Sequence, residues 1–145
     1  MPDRTNTPDG WWQDFVSATP ARTAKLAIVL GSGAPLVAPI WTVLDGDEIV
    51  FNTGADTAKG RAILRDPRVS LCWDDPEPPF SFVVVHGTAA VSEDPDELRH
   101  WAGVIGGHYM GQDRAEEYGA RNGVPGELLV RVTPTKVVAV RDVAA

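Results

Sequence analysis

Short β-rich runs joined by turn residues, with no helix-length pattern between the first three, constrain this chain more than any other feature. Residues 24–30 and 35–44 flank Gly31-Ser32-Gly33 and read as a β-hairpin. Asp45-Gly46, two residues that tolerate positive φ, turns the second run into a third at residues 48–53. Connections this short make an antiparallel meander, because parallel neighbours need a crossover of roughly a dozen residues or more.

The period then changes. Residues 54–66 place Ala58, Ala62 and Ile63 at helical spacing, with Asp56 or Thr57 able to cap and Asp66-Pro67 as the stop. Residues 68–73 and 80–91 return to strand patterning on either side of an acidic proline loop, Asp74-Asp75-Pro76-Glu77-Pro78-Pro79, whose prolines lack amide donors. Gly87 inside the longer strand marks a bulge or a close backbone approach.

Asp94-Pro95-Asp96-Glu97 opens a second helix with an apolar face of Leu98, Trp101, Ala102, Ile105 and Tyr109, and Gly106-Gly107 weakens its end. A further helical piece at 113–121 stops at Asn122-Gly123, and 127–132 and 137–140 read as two closing strands around Thr133-Pro134. At the other end, Trp11, Trp12, Phe15 and Val16 share one face of a short helix at 9–18, closed by Pro20. The expected fold is mainly β: an antiparallel barrel of about six or seven strands with peripheral helices. At 145 residues the chain suits one domain spanning 1–145, with the helix in 1–20 and the barrel in 21–145.

Charge narrows the function. Against 20 acidic residues stand 13 basic ones, a net −7 that repels nucleic-acid backbones and anionic membranes. A single cysteine, Cys72, and an N-terminus without an apolar leader lead us to expect a reducing cytoplasm, and no apolar run reaches the ~18 residues of a membrane span. His86, His100 and His108 lack the spacing of a metal set, no Gly-x-Ser-x-Gly elbow occurs, and no helix follows Gly31-Ser32-Gly33 to make a dinucleotide loop.

One segment reverses the sign. Lys59, Arg61, Arg65 and Arg68 fall within ten residues, the first two just inside a predicted helix start, where free amides and the helix dipole favour an anion. Thr53 and Thr57 add hydroxyls, and Gly54 and Gly60 admit a ligand to the backbone. The same spacing also suits a solvated helix face pairing with Asp56 and Asp66, and both readings stay open. Trp41 and Trp73, on predicted strands, fit either the core or a ligand wall.

An ordered set of segments carries a family resemblance: Gly33-Ala34-Pro35-Leu36-Val37-Ala38-Pro39-Ile40-Trp41, Asp45-Gly46-Asp47, Phe51-Asn52-Thr53-Gly54, Lys59-Gly60-Arg61, Leu64-Arg65-Asp66-Pro67-Arg68-Val69 and Val85-His86-Gly87-Thr88-Ala89. Tyr109-Met110-Gly111, Arg121-Asn122 and Leu129-Val130-Arg131-Val132-Thr133-Pro134 extend it. The chain resembles the pyridoxamine 5'-phosphate oxidase-like split β-barrel superfamily of flavin and deazaflavin oxidoreductases, in its F420-dependent branch.

The resemblance implies an FMN-binding split barrel fold and a homodimer with a cofactor groove between subunits. It also implies an F420-dependent reductase, passing hydride to a small unsaturated substrate. Lys59 is then the phosphate ligand and Arg61 a second; Pro39, Ile40 and Trp41 line the ring; Thr53 and Thr57 lie near the sugar-like chain and phosphate. Phe80, Tyr109 and Met110 would form the substrate pocket, with Tyr109 a candidate proton donor. FMN is the alternative cofactor, although Phe82-Val83-Val84 stands where FMN-binding members carry Gln-Val-Arg. A carrier that binds F420 without turnover is the non-enzymatic alternative.

Overall fold

The computed structural model describes residues 6–145. Its elements in chain order are α1 (Trp11–Val16), β1 (Ala24–Val29), β2 (Pro35–Ile40), β3 (Val43–Asp45), β4 (Glu48–Gly54), α2 (Ala58–Arg65), β5 (Arg68–Asp75), β6 (Ser81–Ser92), α3 (Pro95–Met110), a 3-10 turn (Gln112–Arg114), α4 (Ala115–Asn122) and β7 (Glu127–Val140). The strands form one seven-stranded sheet in the order β2-β1-β5-β6-β7-β4-β3, antiparallel at every pairing. The mainly β, split-barrel expectation is met, and the sheet does not close on itself by strand pairing.

Residues 35–44 are not one strand. β2 lies at one edge of the sheet and β3 at the other, and Trp41-Thr42 carries the chain between them. The apolar run masks the break because both halves have strand patterning. The Asp45-Gly46 turn forms as expected, with Asp45 opposite Glu48 and Gly46 at φ 61°.

Thr57 caps α2, accepting from the Gly60 amide at 3.1 Å, and Asp94 caps α3 through the Asp96 and Glu97 amides at 2.9 and 3.0 Å. α3 runs on through Gly106-Gly107 to Met110 instead of weakening there. Glycine is required at 106 by packing: a Cβ on Gly106 would come within 2.2 Å of the Tyr118 Cβ on α4. β7 is likewise one strand, since Pro134 sits at an irregularity where β6 shifts register between His86 and Gly87 and needs no ladder donor there.

Two apolar layers follow from strand parity. Inside the barrel, Ile49 and Phe51 of β4 pack with Leu26, Leu71, Trp73, Val83, Val85, Val130 and Val132. On the outer face Val50 and Leu129 pack with Leu98 of α3 and the partly buried Trp101. No helix among the described residues is long and apolar enough to cross a membrane.

At Gly87 β6 and β7 approach too closely for a side chain: a Cβ there would lie 2.6 Å from the Thr133 carbonyl oxygen. Gly87→Ala must push the two backbones apart. We expect a loss of about 1–3 kcal/mol, read as a lower urea midpoint at unchanged slope.

Candidate functional site

The site begins at the crossover between sheet edges. Thr42 is only 1% exposed, so its polar groups need partners inside the protein. The Trp73 indole N–H donates to Thr42 Oγ1 at 3.1 Å, and the Thr42 amide donates to the Tyr109 hydroxyl at 3.0 Å. That hydroxyl donates in turn to the Arg22 carbonyl at 2.6 Å. Tyr109 thus ties α3 to the crossover and to the segment before β1. Its ring stacks on Trp41 with centroids 5.0 Å apart and an interplanar angle of 5°, and Tyr118 of α4 meets Trp41 edge-on at 6.0 Å.

Trp41, fixed this way, forms part of a cavity of about 300 Å³. Pro39 and Ile40 from the end of β2, Asn52 from β4, Lys59 from the first turn of α2, Ile105 from α3, Asn122 from the end of α4 and Glu127 from the start of β7 complete it. Four residues expected at a cofactor site, Pro39, Ile40, Trp41 and Lys59, therefore meet in one place. Between them they offer a rigid apolar wall and a cation.

The basic cluster divides between its two readings. Arg68 grips Asp66 through Nε and Nη2 at 3.0 and 2.8 Å, and this pairing holds the Asp66 carboxyl down at about 2. Arg61 donates to the Asp56 carbonyl, and Arg65 donates to the Val29 carbonyl at 2.8 Å. Lys59 alone of the four forms no hydrogen bond or ion pair among the described residues. Arg68 pairs as the solvated-face reading expects, Arg61 meets the Asp56 backbone and not its carboxylate, and Lys59 is left unpaired among the described residues.

Other expected residues do not line this cavity. Thr53 shares the inward parity of Ile49 and Phe51 and is 5% exposed, and its hydroxyl meets Thr57 Oγ1 at 3.3 Å. Thr57 is committed to its cap and donates to the Gly54 carbonyl at 2.7 Å. Phe80 projects at the opposite end of β7 from Glu127: it precedes the strand whose Phe82 pairs with Val140, and it adopts φ 63°. Met110 closes α3 as an exposed side chain. Neither Phe80, Tyr109 nor Met110 lines the Lys59 cavity. The Tyr109 hydroxyl donates to a backbone carbonyl and so acts as a clamp, and burial pushes the phenol up from its ordinary value.

Asn52, Ile105, Asn122 and Glu127 were not anticipated as site residues. For Asn52 the signal was strand parity: it falls two residues after Val50, on the outer face beneath the helices, whereas Thr53 faces the core. A larger cavity of about 430 Å³ lies at the other end of β2 and includes Ser70 and His86, whose Oγ and Nδ1 are 2.7 Å apart. No described carboxylate orients that imidazole, and Arg68, which also lines the cavity, is paired with Asp66. Burial raises the Cys72 thiol's pKa, so Cys72 remains protonated at neutral pH.

Comparison with known proteins agrees with this architecture. The family model described as pyridoxamine 5'-phosphate oxidase matches residues 12–141. No curated protein sequence matches the chain. Among solved structures, the conserved hypothetical protein Rv2991 from Mycobacterium tuberculosis superposes with a TM-score of 0.84 at 22% identity, covering 100% of this chain and 94% of that one. An F420 reductase superposes with a TM-score of 0.70 at 22% identity, over 90% of this chain and 98% of the other. A heme binding protein from Mycobacterium smegmatis reaches a TM-score of 0.67 at 20% identity, over 94% of this chain and 55% of its own length. At these identities the likeness concerns the fold.

Tyr109→Phe strands the Thr42 amide and the Arg22 carbonyl while keeping the stack on Trp41. We expect a loss of about 1–3 kcal/mol in denaturant unfolding at neutral pH. Because the folded phenol's pKa is raised, its contribution is complete below the unfolded value near 10 and is lost as pH climbs through the folded one. The gap between wild type and Tyr109→Phe therefore narrows in strongly alkaline buffer.

Proposed function

The chain belongs to the pyridoxamine 5'-phosphate oxidase family, and from that membership and the Lys59 cavity we propose that it is an F420-dependent oxidoreductase acting on a small unsaturated organic substrate. The observation that carries this reading is the meeting of one unpaired cation with a wall of Pro39, Ile40 and Trp41. F420, when bound, supplies the hydride chemistry itself, so the protein needs to bind, orient and exclude water rather than provide a nucleophile.

Each task has residues suited to it. Lys59 takes the anionic tail, aided by the positive end of α2. Trp41, immobilised by Tyr109 and Tyr118, gives the ring a fixed apolar surface, and Ile105 helps keep water from it. A volume of about 300 Å³ is at the lower end for ligand pockets and too small to enclose an entire ring-bearing cofactor. We therefore propose a homodimer in which a second copy completes the groove. With the Tyr109 proton engaged, the proton that a reduced acceptor requires comes from solvent.

Titration with F420 and with FMN in parallel tests the assignment. Wild-type protein should prefer F420, since Val84 leaves FMN without the arginine that FMN-binding members supply. Lys59→Ala should weaken F420 binding about 10- to 100-fold by removing a charge-assisted contact. Equal affinity in variant and wild type would refute Lys59 as the tail ligand. Oxidation of reduced F420 by a panel of quinones and enones separates enzyme from carrier: tight binding without acceptor-dependent turnover supports the carrier.

A further inference from the structure

Lys59 shares its cavity with a carboxylate that it does not touch. Glu127 opens β7 opposite Gly54, the last residue of β4. Asn52 Nδ2 donates to Glu127 Oε1 at 3.1 Å. The second oxygen, Oε2, would lie 3.2 Å from a Cβ on residue 54, so glycine there leaves it room. No ion pair joins Glu127 to Lys59 or to another cation among the described residues, and Oε2 has no hydrogen-bond partner there. The cavity is thus bipolar: a free ammonium and a carboxylate held by an amide face the same space without neutralising each other.

A carboxylate only accepts hydrogen bonds, so a ligand seated against Glu127 must present donors there. An anionic group alone satisfies Lys59 and repels Glu127. A ligand with an anionic end and a hydroxylated chain satisfies both. We propose that Glu127, oriented by Asn52, is a specificity-determining residue that accepts hydrogen bonds from the hydroxyls of the chain linking the cofactor's ring to its anionic tail. This inference rests on the assignment of the cavity to F420.

The two charges make opposite predictions, which allows them to be tested separately. The probes are F420 and its phosphate-free fragment, which retains the ring and the hydroxylated chain, titrated into wild type, Lys59→Ala and Glu127→Gln. The latter is close to isosteric and keeps a carbonyl for Asn52; thermal unfolding confirms that each variant is folded. Glu127→Gln should weaken the fragment about tenfold, as loss of a hydrogen bond to a charged acceptor does. It should weaken F420 less, because removing a negative charge also favours the anionic tail, so selectivity for F420 over the fragment rises.

Lys59→Ala should do the reverse, weakening F420 while leaving the fragment near its wild-type affinity, so that selectivity falls. Fragment binding by Glu127→Gln at the wild-type value overturns the role of Glu127 alone, as does a wild-type protein that takes up F420 but no fragment. F420 affinity unchanged in Lys59→Ala overturns the cavity assignment instead.

Discussion

Everything that positions the candidate site depends on holding Trp41-Thr42 where the chain leaves one edge of the sheet and enters the other. The edge strands β2 and β3 do not pair, so this dipeptide is the covalent link across the split. A buried threonine at such a point is costly unless its amide and hydroxyl are satisfied. Trp73 from the barrel interior and Tyr109 from α3 satisfy them, and Tyr109 adds a bond to the Arg22 carbonyl. The same tyrosine stacks on Trp41, so one side chain fixes both the crossover backbone and the aromatic wall of the cavity.

Electrostatics follows from that frame. In a chain of net charge −7 a free cation facing a cavity is a specific signal, because acids are available almost everywhere to pair it. Arg68 has found such a partner in Asp66, and Arg61 and Arg65 have found backbone carbonyls. Lys59 faces a cavity that also contains Glu127, yet Asn52 holds that carboxylate and no ion pair forms. The packing of α4 on α3 makes this space possible: glycine at 106 lets Tyr118 come close, which brings Asn122 to the cavity rim and Tyr118 against Trp41.

Much of this was legible in the sequence where a residue's local chemistry decides its conformation. Asp45-Gly46 has one obvious use as a tight turn, Asp94 precedes a proline and accepts from the next amides, and Gly87 marks a close approach regardless of what surrounds it. The break at Trp41-Thr42 was not legible, since the polar partners that stabilise it lie 31 and 67 positions away in Trp73 and Tyr109. Parity sorts the side chains of β4: the hydroxyl of Thr53 is turned inward, and the outer position that lines the cavity goes to Asn52. Tyr109 and the glycines of α3 had roles set by tertiary packing, which no local pattern encodes.

The proposed function places the anionic end of a ring-bearing redox carrier at Lys59, with its ring against Pro39, Ile40 and Trp41. A crystal structure of the protein with F420 tests it most directly. Phosphate oxygens should lie within hydrogen-bonding distance of Lys59 Nζ, with the deazaflavin ring in contact with the Trp41 segment. F420 seated instead in the cavity of Ser70 and His86, with Lys59 in open solvent, would contradict it.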